Sequence, residues 1–257
     1  MLKKKIFILI LLIVSSYSCT TPEVEKSNFD FFAEQFEDIK VLRYQVPGFD
    51  ELTLKQKKLV YFLTEAGLAG RDIMYDQNYR HNLSIRRALE NVYTKYEGDK
   101  ENSNWKRFEI YLKRIWFSNG IHHHYSNDKF IPGFSDEYLQ SLLSDTETSL
   151  NSDALNIIFD DKDSKKVNRD ASKGLVIGSA VNFYGEDVTE KDVDTFYNIL
   201  KSPDPNKPLS LGLNSKLVKE DGKLMEKIYR VDGMYSNSIK KIIYWLNKAK
   251  EVAENKK

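Results

Sequence analysis

The hydrophobic period changes twice along this chain, and that change limits the folds open to it. From Thr53 to Gly120 the apolar residues recur at helical spacing. Leu59, Phe62, Leu63 and Ala66 mark one stripe, and Ile85, Leu89, Val92, Tyr93 and Tyr96 a second. Trp105, Phe108, Leu112, Ile115 and Trp116 mark a third, separated from the second by the polar loop EGDKENSN. Residues three and four apart share one helix face, so each stripe predicts a helix with a buried side. Ser215 to Val231 then reads as two strand-like runs around Asp221 and Gly222, a strong hairpin signal because both turn residues tolerate positive φ. Ile239, Ile242, Ile243, Leu246, Ala249 and Ala253 restore the helical period. The sum is an α+β fold, mostly helical with a few antiparallel strands.

Local signals refine the elements. Ile39 to Val46 has strand character and ends at Pro47. Thr53 with Gln56 forms a capping-box pattern, and Thr189 with Asp192 opens a later helix with Val193, Phe196, Tyr197 and Leu200 inward. Gly67 and Gly120 are expected to close helices. Shorter helices are expected over Asp136 to Leu143 and Asp153 to Phe159, followed by a charged connector, DDKDSKKVNRDASKG. LVIGSAV, from Leu175 to Val181, fits a strand or a buried helical turn. The tryptophans and Tyr244 are read as core. In VNFYGEDVT, Asn182 and Tyr184 are read chiefly as part of a turn feeding the helix at Thr189.

The amino terminus is a separate problem. Residues 1–18 combine three lysines, the apolar run Ile6 to Val14, and small residues at Ser16 and Ser18. That is the layout of a secretory signal peptide, and the run is short of the ~20 residues a spanning helix requires. Cys19 follows at once, as in a lipobox, and is the chain's single cysteine. The expectation is lipidation at Cys19, a polar tether over 19–28, a domain over 29–257, and a lipoprotein anchored to a membrane of the cell envelope. No disulfide within the chain can then contribute to stability. Removing Lys3, Lys4 and Lys5 takes 39 basic residues to 36 against 38 acidic ones, about −2. A near-neutral surface offers no footprint for nucleic acid.

Three of the four histidines stand together in GIHHHYSNDKF, Gly120 to Phe130. If the backbone is extended, His122 and His124 point one way and His123 the other. A zinc centre needs three protein ligands converging on one ion with partners that orient them, and neither HExxH nor HExxGH occurs in the sequence. GxSxG and GxxxxGK are also absent, and the acidic run from Asp160 lacks the glycine and distal glutamate of a calcium loop. The residues by themselves assemble no active site, and no metal ligand is assigned.

Several long strings nevertheless resemble one family, in order: IKVLRYQVPGF, AGLAGRDIMYDQNYRHN, YLKRIWFSNGIHHHYSNDKFIPGFS, VNFYGEDVTEKDV, GLNSKLVKEDGKL and IIYWLNKAKEVAENKK. They are similar to the amino-terminal part of a dipeptidyl peptidase III of the Bacteroides type, from about Phe29 onward. The resemblance implies a zinc-dependent exopeptidase that releases dipeptides from the amino termini of oligopeptides, built as two lobes around a wide cleft. It implies that this chain matches much of the lobe without zinc. The HExxGH helix and downstream glutamate ligand have no counterpart in this sequence, so neither bound zinc nor turnover is expected of the chain alone. The loop matching Asn119 to Lys129 would line the cleft, making Asn119, His122, His123, His124 and Tyr125 substrate-cleft candidates. Oligopeptides are the expected partners, with a separately encoded catalytic half as a further one. The alternative is a lipid-anchored peptide-binding module without catalysis.

Overall fold

The computed structural model describes residues 29–162, 165–201, 204 and 206–254. The expected signal peptide (1–18), Cys19 and the tether (19–28) lie outside the described residues. The described residues divide into two compact units, one ending at Pro47 and one beginning at Gly48.

In the first unit, β1 (Phe32–Phe36) and β2 (Ile39–Leu42) form an antiparallel hairpin, with Phe36 opposite Ile39 and a bulge between Phe32 and Glu34. The strand character of the sequence extends to Val46. The paired strand ends at Leu42, with one further backbone bond from Arg43 N to Phe31 O at 2.8 Å.

The second unit begins with α1 (Leu54–Ala69), α2 (Arg71–Asn78), α3 (Asn82–Lys95) and α4 (Ser103–Ser118), then α5 (Asp136–Asp145) and α6 (Ser152–Phe159). After a short 3₁₀ turn at Ala171–Lys173 come α7 (Glu190–Asn198), the strands β3 (Ser215–Glu220) and β4 (Lys223–Ile228), and α8 (Ser236–Val252). The fold is α+β, with two small antiparallel two-stranded sheets among the described residues.

The capping boxes form as the sequence predicts. Thr53 Oγ1 accepts from Gln56 N while Gln56 Oε1 accepts from Thr53 N, and Thr189 and Asp192 repeat the arrangement on α7. In the β3–β4 hairpin, Asp221 (φ 50°) and Gly222 (φ 74°) both take the left-handed conformation that a two-residue turn of this twist demands.

Two helix ends differ from expectation. Helix α1 runs through Gly67 and closes at Gly70, since one glycine inside a packed helix costs only about 1 kcal/mol. Helix α4 closes at Asn119, which takes the left-handed position (φ 53°), with Gly120 one residue further. Asparagine tolerates that conformation better than other side chains with a Cβ. LVIGSAV makes an open helical turn, Gly178 N donating to Gly174 O at 3.0 Å, and its Leu175 and Ile177 are exposed rather than buried.

The core lies between α2 and α6. Ile85, Leu89 and Val92 of α3 and Phe108, Leu112 and Ile115 of α4 are all 0 % exposed. Leu139 and Leu142 of α5 and Ile158 of α6 close over them. Each such side chain contributes about 1.5–3 kcal/mol by leaving water. Trp105 is buried, stacked 4.6 Å from Tyr96. Trp116 departs from the core reading: it lies at the edge of the stripe, half out of the protein, and its indole N–H donates to Glu90 at 2.8 Å.

Arg86 enters this core from α3. Its guanidinium lies 4.5 Å from the Tyr75 ring and pairs with Asp72 at 2.9 Å and Glu90 at 3.3 Å, which supplies the counter-charge a buried cation requires. Burial pushes the Asp72 carboxyl up, but hydrogen bonds from Arg87 and Arg86 outweigh it and leave it below its ordinary range.

A second polar cluster ties the carboxyl-terminal elements to α2. Asp76 accepts from Tyr235 Oη at 2.6 Å and Asn182 Nδ2 at 3.1 Å, and Asn182 in turn accepts from Lys216 of β3. Tyr235, at the start of α8, is held at φ 62°. Burial and then the hydrogen bond to Asp76 raise its phenol well above the usual value. Asn182 is therefore buried as a structural link among α2, β3 and α8.

Candidate functional site

Asn78 Nδ2 donates to Asn119 O at 3.0 Å, fixing the point where the chain leaves α4. A Cβ on Gly120 (φ 144°) would overlap the Asn82 side-chain amide, so only glycine fits. Asn82 is itself fully buried, accepting from Ile121 N at 3.0 Å and donating to Tyr75 O at 3.1 Å. The chain then turns back as a short hairpin. Phe130 N donates to Ile121 O at 2.8 Å, His122 bridges to Lys129, and His123 N donates to Asp128 O at 2.7 Å. Lys129 is anchored on the carbonyls of Ile157, in the last turn of α6, and Asp160, just past it.

The three histidines do not alternate across an extended strand. His122 is 1 % exposed, its ring 5.3 Å from that of Tyr79. His123 Nδ1 accepts from the backbone N–H groups of Tyr125 and Ser126, both at 3.1 Å, so its lone pair is spent holding the tip of the hairpin. His124 stacks on His123 with ring centres 4.4 Å apart, meets Phe117 edge-on at 4.9 Å, and has Nδ1 3.4 Å from Ser118 Oγ. Tyr125 stands outside at 84 % exposure, 4.2 Å from the His124 ring.

Of the five cleft candidates, the structure therefore brings Tyr125 fully to the surface, while His123 and His124 are half-buried, their stacked rings completing an aromatic ledge with it. It places Asn119 in the helix cap and His122 in the core. The zinc that the family resemblance implies does not fit this loop: His122 is buried, and the Nδ1 of His123 is already an acceptor. Among the described residues, no three His, Cys, Asp or Glu side chains converge as a metal site would require. No chemical step is assigned to a metal here.

Beside the ledge lies a cavity of about 460 Å³, lined by Tyr125, Ser126 and Asn127 on one side and by Lys165, Val167, Asn168, Arg169, Asp170 and Lys173 on the other. The far wall is backbone-fixed. Lys166 N donates to Asn127 O at 2.9 Å, Ala180 N and Val181 N reach back to the carbonyls of Lys165 and Lys166, and Asn168 Nδ2 bridges the carbonyls of Asp170 and Gly174. Lys165 pairs with Asp128 at 2.7 Å, and that hydrogen bond, with a smaller one from Ser126, lowers the Asp128 carboxyl below its ordinary range. Asp170 accepts from Ser172 N at 3.0 Å and Ser172 Oγ at 2.7 Å.

By composition this second wall reads as a charged connector. The available signal was the spacing of Lys165, Arg169 and Lys173, every fourth residue in a segment of otherwise mixed charge. What no pattern discloses is that the segment folds back against the histidine hairpin. No family model matches the chain, and no curated protein matches it to a significant degree.

Proposed function

We propose that this chain forms part of the peptide-binding wall of a zinc-dependent dipeptidyl peptidase III-like metallopeptidase, which releases dipeptides from the amino termini of oligopeptides. In this reading the domain is carried on an envelope membrane by a lipid at Cys19. The resemblance of the six ordered strings supports the family. The observation that carries the binding role is exposed Tyr125, packed on half-buried His124 and lining an open cavity on a backbone fixed at both ends.

A peptide needs such a surface. Aromatic rings supply packing area at little entropic cost, while the Tyr125 hydroxyl and the Asn127 amide line the cavity where backbone carbonyls and N–H groups can be met. Hydrolysis needs a polarised carbonyl and an activated water, and none of the residues at this site is assigned that work. In the parent activity these side chains orient the substrate, and the zinc chemistry belongs to the catalytic lobe.

The second reading is a lipid-anchored peptide-binding module that acts without catalysis. It is favoured by the absence of HExxH and HExxGH from this sequence. Mixing with a separately encoded catalytic half separates the two: zinc-dependent dipeptide release that requires both chains favours the first, and undiminished peptide binding with no release favours the second.

Titration of the chain with a neutral pentapeptide, followed through histidine ring resonances, tests what both readings share. His124 shifts saturably while buried His122 moves little. His124 resonances that stay fixed at millimolar peptide overturn the binding role.

A further inference from the structure

We infer that the cavity beside Tyr125 is a carboxylate subsite, which takes the carboxyl terminus or an acidic side chain of the bound peptide through Arg169 and Lys173. The inference rests on the peptide-binding reading above and adds to it the charge class of the ligand and the end at which it is held.

The charge inventory points this way. Lys165, Arg169 and Lys173 all line the cavity, against one lining carboxylate, Asp170. Asp170 accepts from the N–H and hydroxyl of Ser172 and also feels the charge of Lys173, though not at ion-pair distance. Lys165 is already matched by Asp128, just outside the lining. Among the described residues no carboxylate forms an ion pair with Arg169 or Lys173, so two cations face the cavity with donor capacity to spare. A guanidinium presents a planar fork of N–H groups that suits both oxygens of a carboxylate, and an ammonium adds a point charge beside it.

The surrounding residues suit the rest of a peptide better than a free anion. Tyr125 offers a ring face and a hydroxyl, Val167 an apolar contact, and Asn127 an amide. Asn168 is oriented by its bonds to the carbonyls of Asp170 and Gly174, which also hold the turn carrying Arg169 and Lys173 in place. The walls meet through the Lys166–Asn127 backbone bond, so the distance from ledge to cations is set before any ligand arrives. That preorganisation favours a ligand spanning both: rings against His124 and Tyr125, carboxylate at Arg169 and Lys173.

Three probes test this on the whole chain by calorimetry: pentaalanine with a free carboxyl terminus, its carboxyl-terminal amide, and an amide with glutamate as the last residue. The free acid is expected to bind on the order of tenfold more tightly than the amide, a difference that shrinks as salt is raised. Recovered affinity in the glutamate amide shows that a side-chain carboxylate serves as well, and continued weakness shows that the subsite reads the terminus. The double variant Arg169→Gln/Lys173→Gln should bind acid and amide alike, at the amide's affinity, with an unchanged circular dichroism spectrum. Equal binding of acid and amide by the unaltered chain overturns the carboxylate subsite and leaves the peptide-binding reading intact. No binding of any of the three overturns both.

Discussion

The pair α3 and α4 and the pair α1 and α8 have the same sequence pattern and different fates. On α3 and α4 the apolar stripe is sealed, with Ile85, Leu89, Phe108 and Leu112 at 0 % exposure. On α1 and α8 only Ala66 and Ala249 are buried. Phe62 and Tyr61 meet Trp245 at 6.0 Å, yet Val60, Leu63, Ile243, Tyr244 and Leu246 stay between 42 and 55 % exposed. Tyr244, read from spacing as core, is thus a surface residue. Periodicity says which face of a helix is apolar, and the number of neighbours decides how deeply that face is buried. α3 has α4, α5 and α6 against it, whereas α1 and α8 chiefly have each other.

The largest expected effect follows from the sealed pair. Phe108→Ala removes a ring that touches Trp105 at 5.1 Å and Phe134 at 5.8 Å, and leaves a void the surrounding helices cannot close. A loss of about 3–5 kcal/mol is expected in urea unfolding. A loss below about 1 kcal/mol would mean that the core is not the cooperative centre of the molecule, and the contrast between the pairs would collapse.

Next in size is the Asp76 cluster, where stability rests on polar rather than apolar contacts. Asp76→Asn takes the charge from an oxygen that accepts from both Tyr235 and Asn182, and should cost about 1.5–3 kcal/mol by the same measurement. Tyr235→Phe, which keeps the ring at 4.9 Å from Tyr229 and drops only the hydroxyl, should cost less. If Tyr235→Phe proves the costlier of the two, the carboxylate is not the hub of the network.

A smaller effect sits at the α7 cap. Thr189→Ala removes the hydroxyl that accepts from Asp192 N and should cost about 1 kcal/mol. The Asp192 carboxyl is lowered from 3.8 to about 2, first by the backbone N–H of Thr189, then by the Thr189 hydroxyl and Lys219. A depressed folded pKa stabilises above the unfolded value, and the contribution is lost as pH falls from about 4 toward 2. Because the alanine variant keeps the backbone N–H, its acid-dependent loss between those pH values should be smaller than the parent's but still present. An unchanged acid limb in an Asp192→Asn variant would contradict the assignment to this carboxylate.

How much of this could be read from the sequence depended on whether the governing forces were local. The two capping boxes, the Asp221–Gly222 turn and the stripes of α3 and α4 were legible because neighbours within four residues determine them. Helix ends were harder: Gly67 and Gly120 carry the usual signal, but Gly70 and Asn119 close the helices, since a packed helix tolerates one glycine and asparagine can take a left-handed turn. The histidine hairpin was visible as a cluster, while its division into a buried ring, an internal acceptor and a half-buried ring under exposed Tyr125 arises from Asn82, Lys129 and Tyr79, which are distant in sequence or on the far side of the loop. The wall formed by Lys165 to Lys173 is a contact between segments about 40 residues apart, and nothing local announces it.

The smallest mutational effect is expected on the exposed helix pair. Val60 and Leu63 on α1 and Ile243 and Leu246 on α8 lie to one side of the interhelix contact, as their spacing from Phe62 and Trp245 requires in an antiparallel pair whose ends are joined by Gln56 and Glu254 at 3.1 Å. Each already meets water over nearly half its surface, so Leu246→Ser should change stability by no more than about 0.5 kcal/mol. Leu112→Ser, one helix pair away, should cost several times more because it also buries a hydroxyl without a partner. Hydrogen exchange sharpens the same contrast, since amides of α8 should open at lower free energy than those of α4, where the apolar contacts are densest. If α8 amides exchange only with global unfolding, and Leu246→Ser costs as much as Leu112→Ser, then the α1–α8 face is covered in solution and its exposure does not describe the state in which the protein works.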